Sequence, residues 1–283
     1  MLDGKSLTVL AIVRTFLRSI SLTWLFSLCE MVLTALLPLF VGFAIDGLLS
    51  GDIEELFRLA VLMAFLISIA VTRRIYDTRV FGTVRVELGK SQMARGAGIP
   101  VSSLNARLNM ARELVGFLEE DLPMVMMSVV QLIVAVVVLY FFHQSLALAG
   151  LVAFGLVICV YAAFHRLFFR LNGRLNNQIE QQVRILERRR MPGLAQHLLR
   201  LRKVEVQISD TESILYGSVY VVLLGLILFN LWFATTSLEI SAGTIFSIVM
   251  YSWEFVEASL AIPAVLQSWS RLSEITQRIN NES

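Results

Sequence analysis

Residues 146–169, LALAGLVAFGLVICVYAAFHRLFF, run directly into 170–190, RLNGRLNNQIEQQVRILERRR, and no proline intervenes before Met191-Pro192-Gly193. The first part is apolar for long enough to cross ~30 Å of hydrocarbon at 1.5 Å per residue. The second part is polar and basic yet carries no turn signal, so the helix is predicted to continue far beyond the bilayer. A second arm, from Leu194 to about Thr236, mirrors it after the Met191–Gly193 break. Each arm is then about 40 to 45 residues, or ~60–68 Å, and about half of that stands outside the membrane.

The rest of the chain follows the same plan. Hydrophobic residues make up 57% of 283, and the mean hydropathy is +0.72. A water-soluble surface needs more charge than that, so the bilayer is the solvent. Candidate spans lie at Leu22–Leu48, Leu56–Val71, Met124–Phe142, Leu146–Phe169, Leu215–Thr236 and Ile245–Trp269. The expected class is therefore an all-α membrane protein of six long transmembrane helices with cytoplasmic extensions.

Charge orients these spans. The turns Gly47–Glu55, His143–Ser145 and Thr235–Ala242 hold Asp52, Glu54, Glu55 and Glu239 but no Lys or Arg. Basic residues collect on the other side, from Arg73 through Arg112, from Arg166 through Lys203, and at both ends of the chain. By the positive-inside rule both termini are cytoplasmic. Arg58 is the exception, and Glu54 or Glu55 one helical turn away is its expected partner. No cleavable signal peptide is visible, because the N-terminal apolar stretch lacks a small-residue cleavage site. A net charge of +2 needs no nucleic-acid partner, since the anionic inner lipid surface is the counterpart of the basic excess. Cys29 and Cys159 sit in separate spans and read as buried packing residues rather than a disulfide.

Between the second and third spans, Thr72–Pro123 is amphipathic helix broken at Gly96–Pro100. Residues 1–20 form another element. Leu7, Leu10, Val13, Leu17 and Ile20 recur at helical spacing opposite Lys5, Arg14 and Arg18, as in a helix lying in the inner interface.

On these residues the chain resembles the transmembrane domain of an ATP-binding-cassette exporter. Leu37-Pro38-Leu39-Phe40-Val41-Gly42-Phe43-Ala44-Ile45-Asp46-Gly47 is similar to that family's proline-to-aspartate stretch. Arg85, Ile99-Pro100, Ser103-Leu104 and Glu119-Glu120-Asp121 resemble the surroundings of its first coupling helix. Ala242-Gly243-Thr244, and later Arg271 and Arg278-Ile279, resemble its last span and the approach to the nucleotide-binding domain. The resemblance implies the type I exporter fold: an elbow helix over residues 1–20 and a six-helix domain over 21–283. It also implies a homodimer of twelve spans, and docking of a separately encoded ATP-binding subunit near Pro100, Ser103, Arg189, Arg190 and Pro192.

Two departures from that family stand out. No nucleotide-binding domain is present in these residues, and Gly82 to Gly89-Lys90 is two residues too long for a Walker A loop. This chain is thus expected neither to hydrolyse ATP nor to hold a cofactor. Glu187–Gly193 also leaves little room for the second transverse coupling helix.

Chemistry inside the membrane points to acids. A charge near the bilayer centre costs at least ~2.5–3.5 kcal/mol unless paired, protonated or wetted. Glu30 lies in the first span, and Glu254 and Glu257 lie in the sixth. Counted from Asp46 and Ala242 they are ~24, ~18 and ~22 Å deep, so they could share one level. Glu254 and Glu257 fall on one face, which Ser247, Met250, Tyr251, Ala258 and Ala261 extend. One reading is a polar cavity along the dimer axis, where Glu30, Tyr251, Trp253, Glu254 and Glu257 bind a small cationic or amphipathic substrate or exchange protons. The other is that each acid bonds to a neighbour such as Gln131, Tyr216, Tyr220 or Asn230 and only fixes packing.

The phenylalanines are expected to face lipid and adjacent helices, and Trp24, Trp232 and Trp269 suit interfacial anchoring. The histidines are too far apart in depth for a metal site, and no nucleophile–base arrangement suggests catalysis. The expected function is export across a bacterial inner membrane, driven by a separate ATPase subunit or by an ion gradient. The alternative is a membrane scaffold or regulator that does not transport.

Overall fold

Without water to bond the backbone, chain that crosses a bilayer must satisfy its own N–H and C=O groups, and long helices do so here. The computed structural model describes residues 9–95, 101–187 and 191–281. In chain order its helices are α1 (Val9–Thr15), α2 (Leu17–Ser50), α3 (Glu54–Arg95), α4 (Val101–Gly116), α5 (Leu122–Phe142), α6 (Gln144–Glu187), α7 (Met191–Ser237) and α8 (Ala242–Asn281). A π-helical turn, Phe117–Asp121, joins α4 to α5. No strand occurs among the described residues.

Among the described residues, five helical stretches are long and apolar enough to span a membrane: Leu17–Ser50, Glu54–Ala94, Leu108–Phe142, Gln144–Ile179 and Met191–Ser237. The sixth expected span, Ile245–Trp269, falls in α8, which forms but is not among the five. Glu254 and Glu257 interrupt its apolar run, and the side chains from Ile262 onward lie outside the described set.

The turns have local causes. Gly51 ends α2 with φ 82°, a left-handed conformation that glycine adopts without a Cβ clash. Asp52 then accepts the Glu54 N–H at 2.8 Å to start α3. Arg58 donates to both Glu54 and Glu55 at 2.6 Å, so the one exposed cation on this side is paired as expected. His143 alone separates α5 from α6, and its Nδ1 accepts the Ser145 N–H at 3.1 Å.

Two boundaries differ from expectation. Pro192 and Gly193, expected in the second long break, belong to the first turn of α7, where the missing proline N–H would be unbonded anyway. Phe16 breaks the N-terminal helix, with φ −110° and ψ 27°. Leu17 is exposed while Ile12 and Ile20 are buried. They pack with Phe81, Val84 and Leu88 of α3 and Ala111, Leu114, Val115 and Leu118 near the end of α4. Cys159, expected to be buried, is exposed, and both cysteines are free. The Gly96–Pro100 break and Arg188–Arg190 lie outside the described residues.

The helices form two compact units, His143–Phe233 and the remainder. In the His143–Phe233 unit, the His143 ring meets Phe233 with centroids 5.0 Å apart, and Phe229 stacks on Phe233 at 5.9 Å. In the other unit α2 packs against α3, α5 and α8.

The α2–α8 seam is the closest approach. Asp46 accepts from the Ser241 hydroxyl and from the Gly243 N–H at 2.8 Å, placing a carboxylate at the positive N-terminus of α8. Ser247 Oγ donates to the Pro38 carbonyl at 2.9 Å, and Tyr251 OH donates to the Ala35 carbonyl at 2.8 Å. Between these ties, a Cβ on Gly42 would lie 2.6 Å from the Gly243 oxygen, and one on Gly243 would lie 2.7 Å from Asp46 Cγ. Replacing Gly42 by valine is therefore expected to destabilise the chain by about 1–3 kcal/mol or more through overpacking. Gly225→Ala, whose added carbon meets nothing within 4 Å, should leave stability unchanged or raise it by up to about 1 kcal/mol. Thermal unfolding of the purified protein in detergent measures both.

Candidate functional site

The seam decides which face of α8 is covered. Ser247, Tyr251, Ser252, Phe255, Ala258 and Ser259 are buried, whereas Trp253 and Glu257 are exposed. Tyr251 is fully buried with its hydroxyl committed to Ala35, so here it serves packing. Trp253 Nε1 donates to Glu257 Oε1 at 2.9 Å, one turn along the same helix. Glu254 lies between the two faces: its Oε2 is buried and has no hydrogen-bond partner among the described residues. The acids three residues apart therefore sit in different surroundings, one outward and hydrogen-bonded, the other half-buried with an unmatched oxygen.

Glu30 has another partner. Arg73 of α3 grips it through Nε to Oε2 and through Nη2 to Oε1 at 3.4 Å. Arg73 Nη1 also donates to Asp77 at 2.9 Å. Phe26 and Tyr76 meet edge-to-face beside this group, with centroids 5.9 Å apart. A cavity of about 270 Å³ adjoins it, lined by Ser27, Glu30, Met31, Thr34, Arg73, Pro123, Met124 and Met127. Neither acid of α8 lines that cavity, so the structure joins Glu30 to Arg73 rather than to Glu254 or Glu257.

Asp77 lies ~35 Å along α3 from its start, past the ~30 Å hydrocarbon layer. Burial pushes its carboxyl above the ordinary value, while Arg73 and Thr23 pull it down less strongly.

Sequence reasoning treated Arg73 as one of many topological cations. The signal it missed is the (i, i+4) pair Arg73–Asp77 one turn past a span end, which marks a cation facing protein rather than water. Arg85 pairs similarly with Glu119, tying α3 to the π-helical turn. Of the expected docking residues, Pro192 is exposed at the start of α7 and Ser103 lies in the first turn of α4, where its side chain is not described. Pro100, Arg189 and Arg190 lie outside the described residues.

Residues 9–243 match the family described as the ABC transporter transmembrane region. The chain belongs to that family. No curated protein matches it. The ABC transmembrane match covers α1 to α7 and ends at Gly243, at the heart of the seam, so the α8 acids lie beyond it. Membership makes the chain a multi-pass membrane protein of the transporter class, consistent with its long apolar helices.

Removing Arg73 would leave two carboxylates facing each other. Arg73→Ala is expected to destabilise by about 2–4 kcal/mol, at the low end of a buried pair's loss because both partners keep some exposure. The folded state binds protons at Asp77 more readily than the unfolded chain, so stability falls as pH rises through that range. The variant should steepen the fall, with the gap from the native protein wider at pH 8 than at pH 5. Unfolding midpoints across pH check this, and Arg73→Lys should recover part of the loss.

Proposed function

We propose that this chain is an exporter-type permease that works as a homodimer of twelve spans and moves a small cationic or amphipathic molecule. Family membership supports a transporter, and the unmatched, buried Glu254 oxygen in α8 carries the substrate reading. A bare carboxyl oxygen at membrane depth is costly, and a passing cation or hydrogen-bond donor would relieve that cost. Glu257 and Trp253 give the neighbouring outward face an acid and a flat apolar ring suited to the same class of molecule. Tyr251 supports the site from behind by fixing α8 on α2. Glu30 belongs with Arg73 at another position and is not assigned to this path.

A separately encoded ATP-binding subunit powers the cycle in this reading, as is usual for ABC membrane domains. The chain itself would not hydrolyse ATP: the stretch from Gly82 to Lys90 lies within continuous helix α3, not in a loop between a strand and a helix. The subunit would dock at the hairpin ends around residues 96–103 and 188–193. The topology that fits the basic residues has α8 as a sixth span and both termini in the cytoplasm of a bacterial inner membrane.

Flux of a lipophilic amine into proteoliposomes, with and without ATP and candidate ATPase subunits, tests this directly. Glu254→Gln should lower flux about tenfold or more, the scale of one charge-assisted hydrogen bond at about 1.5–3 kcal/mol. Flux that ignores ATP but is lost in Glu254→Gln would assign a gradient-driven carrier. No flux under any condition would favour a scaffold.

A further inference from the structure

The cavity beside Glu30 carries an imbalance that the transport reading does not use. Arg73 is one cation ligated by two carboxylates, Glu30 and Asp77, which leaves one formal negative charge. Arg73 and Glu30 are the charged neighbours that act on Asp77. Two of the roughly four lone-pair positions of the Glu30 carboxylate accept from Arg73, the donor that reaches it among the described residues. Ser27, only 2% exposed, lines the same cavity, and its Oγ is buried without a hydrogen-bond partner. Excess negative charge and an unmatched hydroxyl at one partly dehydrated spot call for a cationic hydrogen-bond donor.

The remaining lining narrows the class. Met31, Met124 and Met127 supply soft, adaptable thioether surface for an apolar segment. Among the described residues no aromatic ring lines the cavity, whereas quaternary ammonium is favoured by an aromatic cage. A primary ammonium, with N–H donors to spare, matches Ser27 and Glu30 instead. At about 270 Å³ the space is near the ~300 Å³ lower bound of small-molecule pockets, enough for a headgroup or short amine. Met124 is 52% exposed at the rim while Met31 is 6% exposed within, so the cavity opens past Met124. Glu30, Arg73 and Met124 each lie ~27–30 Å from the opposite ends of their helices, the depth at which hydrocarbon gives way to headgroups.

We propose that the cavity between α2, α3 and α5 binds the primary ammonium of an amphiphile, seated on Glu30 and Ser27 with its apolar part against the three methionines. The ammonium can come from an aminophospholipid headgroup or from a free alkylamine. Only the choice of leaflet, the inner one, rests on the topology proposed above.

Calorimetric titration of the purified protein in neutral detergent tests binding without any need for transport, so a failed flux assay leaves it intact. The probes are short-chain phosphatidylethanolamine, phosphatidylcholine of equal chain length, octylamine and octyltrimethylammonium. The expected result is that the ethanolamine lipid binds at least about tenfold tighter than the choline lipid, a difference of about 1.4 kcal/mol. Ser27→Val, Glu30→Gln and the cavity-filling Met127→Trp should each weaken it. Octylamine binding that exceeds its trimethyl analogue supports recognition of the ammonium alone, whereas ethanolamine lipid binding with octylamine inert assigns the headgroup. Equal affinity for the two lipids, or ethanolamine binding unmoved by both Ser27→Val and Met127→Trp, would overturn the proposal.

Discussion

Helix association in lipid gains nothing from the hydrophobic effect, because acyl chains are as apolar as leucine. Close packing and hydrogen bonds must hold the helices together instead. The α2–α8 seam answers that constraint with short side chains and backbone carbonyls. Ala35, Pro38, Gly42 and Asp46 recur at helical spacing along α2 and meet Tyr251, Ser247, Gly243 and Ser241 in turn. Pro38 gives up an N–H inside α2, so the helix already has a weakened rung beside the seam. Asp46 at the other end does two jobs, holding the start of α8 and bonding the residue that caps it. Once this line is fixed, the faces of α8 are fixed too, and with them the positions of Trp253, Glu254 and Glu257.

Outside the His143–Phe233 unit, the polar groups that do not bond within their own helix sort into two kinds. Some are spent on ties between elements: Tyr251 and Ser247 on α2 carbonyls, Glu30 on Arg73, and Arg85 on Glu119. A few are left over, among them Glu254 Oε2 and Ser27 Oγ. Groups of the first kind hold the fold. The second kind are unmatched polar atoms in a medium that penalises them, which is why the proposed transport role is drawn from Glu254 and the proposed binding role from Ser27 with Glu30.

Much of the architecture was legible because it follows from period and length. The long helices, the short turns between them and the Arg58 pairing all come from local rules, and the structure forms them where those rules put them. The error arose at a helix boundary. Pro192 starts a helix where a periodicity argument would place a break. The candidate site was legible only as a set of acids. Depth counting placed Glu30 level with the α8 pair, but depth says nothing of direction around a helix axis, and Arg73 claims that carboxylate from the far side. Tyr251 was named for its place on a wheel, yet its role depends on a carbonyl more than two hundred residues away in sequence, which no local rule reaches.

The central claim is that the seam covers one face of α8 and leaves Trp253 and Glu257 open. Thiol labelling in a background free of Cys29 and Cys159 reads this face by face. Ser252 and Ser259 are buried and nearly isosteric with cysteine, whereas Trp253 and Glu257 are on the open side. Cysteines at 253 and 257 should react readily with a small permeant reagent while those at 252 and 259 stay protected. Equal reactivity at all four positions, or faster reaction at 252 and 259, would contradict it.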